Sequence, residues 1–281
     1  MTNKILYLGP EGSYSNIVMK KFLTHYSLNN YAIEPIESIY MLIKKLCVDI
    51  EKNYIAIMPI ENSIEGIVRD TQDNLVKLSN YGYKIFAETS LNIEHSLIGF
   101  GQKNEIKKIS SHPQALAQCR EYIYNTWENS VTLIPVLSTS NAVRNLSKDD
   151  TSSAAIASEY CANLYSIPII ERHINDEKNN TTRFIMLSKD KPLKKELNKI
   201  SLKFSTENQP GALNRVLNIF ESYKLNLSYI DSRPSRKALG EYIFYIDFIG
   251  HVEDSNILSA LTDIQPYVKS FDIISEGAEV I

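Results

Sequence analysis

Three cysteines are all that 281 residues hold: Cys47, Cys119 and Cys161, widely spaced, odd in number and without a CxxC pair. This excludes a disulfide framework and a CxxC redox site, and the three read as reduced thiols of a cytosolic protein. No apolar run approaches the roughly 20 residues that span a bilayer. The start, MTNKILYLGPEG, carries one lysine and a four-residue apolar run, too short for a secretory signal. A membrane role is not expected, and a cytoplasmic location is. An excess of basic charge is missing too. Thirty Lys and Arg face thirty-three Asp and Glu, a net charge of −3 that argues against a nucleic-acid partner. The histidines His25, His95, His173 and His251 lack metal-ligand spacing, so no metal site is expected. The Gly-Lys-Ser/Thr ending of a P-loop, GxGxxG and the G-x-S-x-G elbow are absent as well, which removes support for nucleotide binding and for an α/β-hydrolase nucleophile.

What is present is an ordinary globular balance, 43% apolar and 22% charged, at a length that suits two domains. Strands are expected at Lys4–Gly9, Tyr54–Ile60, within Lys84–Phe100, at Lys107–Ser111, Val131–Val136, Ser153–Ser158 and Arg183–Ser188. Helices are expected at Ser15–Tyr26, Gln114–Thr126 and Asn141–Leu146. The alternation predicts an α/β architecture with largely parallel sheets. SKDKPLKKELNK, from Ser188 to Lys199, is charged and proline-bearing and reads as a linker, with the domains placed at 1–188 and 200–281 and the linker at 189–199. After it the order is strand (ISLKFS), helix, two strands about four residues apart, helix from Asp254 to about Ile264, and strand (VKSFDIIS). The helix shows Ala212, Leu213, Val216, Leu217 and Phe220 on one face. This βαββαβ order is the α+β ferredoxin-like plan.

Strand ends in the first domain run into small hydroxylated residues: LGPEGSYS, PIENSIEG, SSHPQALAQC and LSTSNAV. Ligands of α/β proteins sit at the carboxyl ends of strands, where helix starts offer free backbone N–H groups. Serine and asparagine there also serve as plain N-caps. Four such turns in one domain point to an anionic organic ligand held by many neutral donors. Glu61 could be a general base or accept a hydrogen bond from a substrate hydroxyl. His112, before Pro113, reads either as a helix cap or as a catalytic group.

These fragments, with AAIAS and NNTTRF, occur in the order found in prephenate dehydratases, from about Leu6 to Leu187. NQPGALNRVL and DSRP resemble the ligand-binding elements of an ACT domain attached to that enzyme. The resemblance implies a two-lobed, periplasmic-binding-protein-like α/β catalytic domain plus the ACT domain, and conversion of prephenate to phenylpyruvate, water and carbon dioxide in L-phenylalanine biosynthesis, with no cofactor. It places the catalytic roles on Thr182, Arg183, Glu61 and Asn62, and substrate binding on Ser63, Ser111, Gln118, Ser138 and Thr139. It implies phenylalanine feedback through Asn208, Pro210, Gly211, Ala212, Leu213, Asp231, Ser232, Arg233 and Pro234, in a homodimer or homotetramer. Asp231 stands where the family pattern has glutamate, one methylene longer. KILYLGPEG begins at residue 4, so a monofunctional enzyme without an N-terminal chorismate mutase domain is expected.

The chemistry suits these residues. Prephenate is a dianion whose ring becomes aromatic as carboxylate and hydroxyl depart. Neutral donors can orient it without anchoring the charge of the departing carboxylate. A threonine hydroxyl is a weak acid, so Thr182 is expected to hydrogen-bond the leaving oxygen or relay a proton. Arg183 could bind a substrate carboxylate or tie the lobes together, and Phe184 is expected in the core. Two rival readings stand beside this one: an arogenate or dual-substrate dehydratase, and a non-catalytic amino-acid sensor.

Overall fold

The computed structural model describes residues 4–49, 51–189, 199–235 and 241–281, so the linker expected at 189–199 lies, except for its two end residues, outside the described residues. The chain opens with β1 (Lys4–Leu8), α1 (Tyr14–Tyr26), β2 (Ala32–Ile36), α2 (Ile39–Val48), β3 (Tyr54–Asn62), β4 (Gly66–Ile67), α3 (Arg69–Gln72) and α4 (Leu75–Asn80). Next come β5 (Lys84–Asn92), β6 (Ser96–Gly99), β7 (Lys108–Ser111), α5 (Pro113–Ala117), α6 (Arg120–Trp127), β8 (Thr132–Pro135), α7 (Thr139–Arg144), β9 (Ser153–Ala157), α8 (Glu159–Tyr165), β10 (Ile169–Glu171) and β11 (Thr181–Ser188). The last part is β12 (Lys199–Ser205), α9 (Ala212–Ser222), β13 (Leu227–Pro234), β14 (Tyr242–Ile249), α10 (Ser255–Asp263) and β15 (Ser270–Val280). Among the described residues no helix is long and apolar enough to cross a membrane.

Two compact units emerge, one of Met1–Lys44, Ile57–Arg69 and Ser90–Phe184, the other of Lys45–Ala56, Asp70–Thr89 and Ile185–Ile281. The first contains a five-stranded sheet in the order β10-β6-β9-β7-β8. Its middle strands are buried on both faces, because alternate residues enter different cores. Leu97, Ile109, Ala154 and Ile156 join one cluster with Trp127 and Ile123. Ile98, Ala155 and Ala157 join the other with Val143 and Ala162. Such continuous apolar runs are what a two-faced sheet requires. The same unit holds the parallel pair β1–β2, in register from Lys4 with Ala32 to Leu8 with Ile36.

In the second unit the sheet order β13-β14-β12-β15 carries α9 and α10 on one face, which is the ferredoxin-like βαββαβ plan that the sequence predicts. Alternation again separates the faces. Phe204, Ile246 and Phe248 enter the helix-side core, while Tyr245 and Asp247 lie buried on the other side of β14. β15 continues in parallel alongside β5, pairing Glu279 with Ala87.

The expected helix from Gln114 to Thr126 is two helices. Between them the Gln118 carbonyl accepts the N–H of Asp176 at 2.9 Å. The Asp176 carboxylate then caps α6 by accepting from the N–H groups of Glu121 and Tyr122, both at 3.0 Å. A partner 55 residues away ends one helix and starts the next, which no local pattern signals. β2, α2 and α8 are further elements that the sequence reading leaves unplaced.

Gly101 is a tight point of the first unit, since a Cβ there would sit 1.9 Å from the carbonyl oxygen of Thr151. Gly101→Ala is expected to cost about 1–3 kcal/mol through forced backbone displacement, read as a fall of several degrees in Tm. An unchanged Tm would show that the Thr151 segment yields freely.

Candidate active site

Within the first unit, a pocket of about 430 Å³ opens at the ends of β1 and β3, beside the start of β11, and faces the starts of α1, α5 and α7. Three capping groups bring those helix starts to it. The Ser13 hydroxyl accepts from the Asn16 N–H at 3.2 Å, His112 Nδ1 accepts from the Gln114 N–H at 3.3 Å, and the Ser138 hydroxyl accepts from the Asn141 N–H at 3.0 Å. Each of the three also lines the pocket. The capping and ligand readings of these turns are thus compatible: the cap fixes the backbone and leaves the group at the pocket wall.

Of the residues singled out from the sequence, Asn62, Gln118, Ser138, Thr139 and Thr182 line this pocket. Asn62 is the best determined. Its Oδ1 accepts from the N–H groups of Ile64 and Glu65, both at 3.0 Å. The amide nitrogen is therefore the end that faces Asn180 Oδ1, at 2.7 Å, and Thr182 Oγ1, at 2.9 Å. Thr182 is buried and accepts a hydrogen bond at its oxygen, so its own proton is left to donate to another acceptor.

The remaining candidates serve other contacts. Arg183 Nη1 lies 3.4 Å from Glu61 Oε2, and neither side chain is part of the pocket wall. Ser63 ties the turn after β3 to the segment that leads into β11, donating to the Asn179 carbonyl at 3.0 Å and accepting from the Thr181 N–H at 2.9 Å. Ser111 is fully buried and donates to the Ile156 carbonyl at 2.6 Å, across from β7 to β9. Phe184 is buried at 2% exposure and its side chain reaches the pocket wall as well as the core.

The sequence reading gives no site role to Tyr14, Ser15, Glu37, His95 and Gln114, which all line the pocket. Asn180, equally without an assigned role, is buried and joins Asn62 to Gln118, donating to Gln118 Oε1 at 3.1 Å. His95 Nε2 lies 3.0 Å from the same Gln118 oxygen, and its Nδ1 lies 3.1 Å from the Tyr14 hydroxyl. Burial holds both His95 and His112 below the ordinary imidazole range, and holds the Tyr14 phenol well above its own. The nearest local hint, a lone histidine in EHSL, says nothing of a glutamine 23 positions onward.

In the second unit Gly211 begins α9 with φ +78°, a conformation that favours glycine. Asn208, Pro210 and Gly211 are exposed at that turn, Ala212 is buried, and Leu213 packs against the helix-side core. On β13, Asp231 Oδ2 meets Arg233 Nε at 2.9 Å, and an Arg233 terminal nitrogen lies 3.5 Å from Gln72 Oε1. Ser232 and Pro234 alternate onto the exposed face. No group of acidic, histidine and cysteine side chains suited to a metal occurs among the described residues.

Comparison with known proteins fits this geometry. The family model for prephenate dehydratase matches residues 5–192, and that for the ACT domain matches residues 200–265. A prephenate dehydratase of Methanocaldococcus jannaschii is 42% identical over 259 residues, 90% of each chain. A crystal structure of a prephenate dehydratase from Arthrobacter aurescens in complex with L-Phe superposes with a TM-score of 0.81 at 27% identity, covering 98% of this chain and 90% of that one. A structure described as a quorum-quenching acylase superposes with a TM-score of 0.80 at 25% identity, over 98% of both chains.

Proposed function

This chain belongs to the prephenate dehydratase family, and we propose that it converts prephenate to phenylpyruvate, water and carbon dioxide. The observation that carries the reading is the Asn62–Thr182 hydrogen bond at the pocket wall, with the direction of the Asn62 amide set by two backbone N–H groups. The ring carbon–carboxylate bond breaks, its electron pair enters the ring, and the ring C–O bond breaks as the hydroxyl leaves. The balance is prephenate dianion plus one proton giving phenylpyruvate monoanion, carbon dioxide and water.

The residues divide this work as follows. Thr182 donates a hydrogen bond from its hydroxyl to the departing oxygen, Asn62 holds the threonine oxygen so that this hydrogen points outward, and the proton consumed in forming water comes from solvent. The threonine hydrogen bond strengthens as charge develops on the leaving group. Gln118, Ser138 and Thr139, which line the same pocket, orient the substrate. Ser63 and Ser111 act through the backbone they brace. The Glu61–Arg183 pair holds the start of β11. Among the described residues no lysine or arginine lines the pocket, so none of them anchors the leaving carboxylate as an anion.

The acylase likeness supplies a second reading, which would need a hydroxyl activated by a base. Among the described residues neither His95 nor His112 hydrogen-bonds a serine or threonine hydroxyl, which favours the dehydratase. The test is to supply purified protein with prephenate, with arogenate and with an acyl amide in parallel. Phenylpyruvate from prephenate is expected. Turnover of the acyl amide alone would overturn the proposal, and faster turnover of arogenate would reassign the substrate.

The division into a catalytic part at 1–188 and a regulatory part at 200–281 belongs to the same proposal, as does a homodimeric or homotetrameric assembly. Phenylalanine is expected to bind at the turn of Asn208–Leu213 and at Asp231–Pro234, where backbone N–H groups at the start of α9 can receive a carboxylate. Saturating phenylalanine should raise Tm and lower the rate. If it changes neither, the regulatory assignment fails.

A further inference from the structure

We infer that His95 takes up a proton when the dianionic substrate binds, and that its imidazolium is the positive side chain of a pocket that no lysine or arginine lines among the described residues. This rests on the dehydratase reading for the identity of the dianion. The geometry around the ring supplies the rest.

A chain of amides fixes what faces Nε2. The Ile64 and Glu65 N–H groups occupy Asn62 Oδ1, so Asn62 donates to Asn180 Oδ1. Asn180 must then present its own amide hydrogens to Gln118 Oε1. The Gln118 oxygen therefore faces His95 Nε2 at 3.0 Å, and Nε2 carries a hydrogen. The other side also ends on an oxygen. The Tyr14 hydroxyl makes its shorter contact, 2.7 Å, with the Glu94 carbonyl, and can donate only once. Its lone pair is what remains for His95 Nδ1 at 3.1 Å. Both ring nitrogens thus face acceptors, and a neutral imidazole can satisfy only one of them. The doubly protonated ring satisfies both.

Burial opposes that charge in the empty pocket, which keeps the ring neutral near pH 7. The ionisable groups on the surrounding elements do not offset this. Glu94 Oε2 lies 3.3 Å from His173 Nδ1, Asp176 accepts the N–H groups of α6, and the buried Cys119 thiol and Tyr14 phenol are held far above neutrality. Among the described residues Glu37 is the one carboxylate in the pocket wall. A bound dianion supplies the missing counter-charge, and the hydrogen-bond partners for the second proton are already in place.

The pH dependence of kcat/KM tests this. Since the neutral free form must gain a proton, kcat/KM of the wild type should fall about tenfold per pH unit between pH 7 and 9. His95→Gln should lose that slope and His112→Asn should keep it. A flat wild-type profile, a slope that survives in His95→Gln, or a slope abolished only in His112→Asn would each overturn the assignment. A second measurement needs no change at His95. Ring 15N spectra of Thr182→Val protein should show a neutral, Nε2-protonated His95 that becomes an imidazolium on addition of prephenate. A ring that stays neutral in the complex overturns it as well. Wild-type protein that makes no phenylpyruvate at any pH would instead bring down the dehydratase reading, and this inference with it.

Discussion

Thr182→Val will lower kcat by roughly 10²–10³-fold, the scale of losing one positioned hydrogen-bond donor in the transition state, with a much smaller change in KM. Valine keeps the shape and β-branching of threonine, so the start of β11 has no steric reason to move. It removes the one hydroxyl whose oxygen is held by Asn62 and whose proton is free to be donated. The matched control is Thr181→Val. Thr181 Oγ1 donates to Asn92 Oδ1 at 3.0 Å, and Thr181 is not among the residues lining the pocket. Its replacement should leave kcat close to the wild-type value. Equal losses at both positions would mean that the NNTTRF segment acts through its backbone, and near-normal turnover by Thr182→Val would remove the hydroxyl from the mechanism.

Lys199→Met will destabilise the second unit by about 3–5 kcal/mol, the usual cost of breaking a buried ion pair from one side. Lys199 Nζ lies 2.8 Å from Glu88 Oε1 and 3.2 Å from Asp247 Oδ2, and all three side chains are under a tenth exposed. Lys199 thus pairs with two buried carboxylates at the start of β12, and methionine takes that charged partner from both. Thermal melts at neutral pH read the loss. Adding Glu88→Gln and Asp247→Asn to Lys199→Met should restore part of the loss. A single variant that melts within two or so degrees of the wild type, on a scale of roughly 2–4 °C per kcal/mol, would show that the triad contributes nothing net.

The local patterns carried much of this fold. SAAIAS was placed as a strand and is β9, buried at four of its five positions, and the strand expected in GEYIFYIDFIG is β14. α9 followed from the apolar spacing of Ala212, Val216 and Phe220, all buried. The uninterrupted helix expected from Gln114 misled because its break is imposed by Asp176, a residue distant in sequence. α2 is an apolar-rich stretch that the sequence reading did not place.

The same division runs through the site. The family resemblance placed Asn62, Gln118, Ser138, Thr139 and Thr182, because each lies in a motif of a few consecutive letters, and all five line the pocket. Asn180 could have been suspected from its place in NNTTRF. Tyr14 could likewise have been suspected from its place in LGPEGSYS, but His95 could not, since a buried imidazole acquires its meaning only from the oxygens that enclose it.

By itself, then, the sequence determined the class of protein, the order of its elements and the hydroxyl-rich, cation-poor character of the ligand turns, because periodicity, capping residues and missing charge are local properties of the chain. Only the tertiary structure decided that Arg183 pairs with Glu61 outside the pocket wall, that Ser111 spends its hydroxyl on Ile156, and that one direction of hydrogen bonding runs from the backbone at Ile64 through Asn62, Asn180 and Gln118 to His95. Hydrogen-bond direction is a property of closed contacts between distant segments, and it exists only once folding has brought donor and acceptor within about 3 Å.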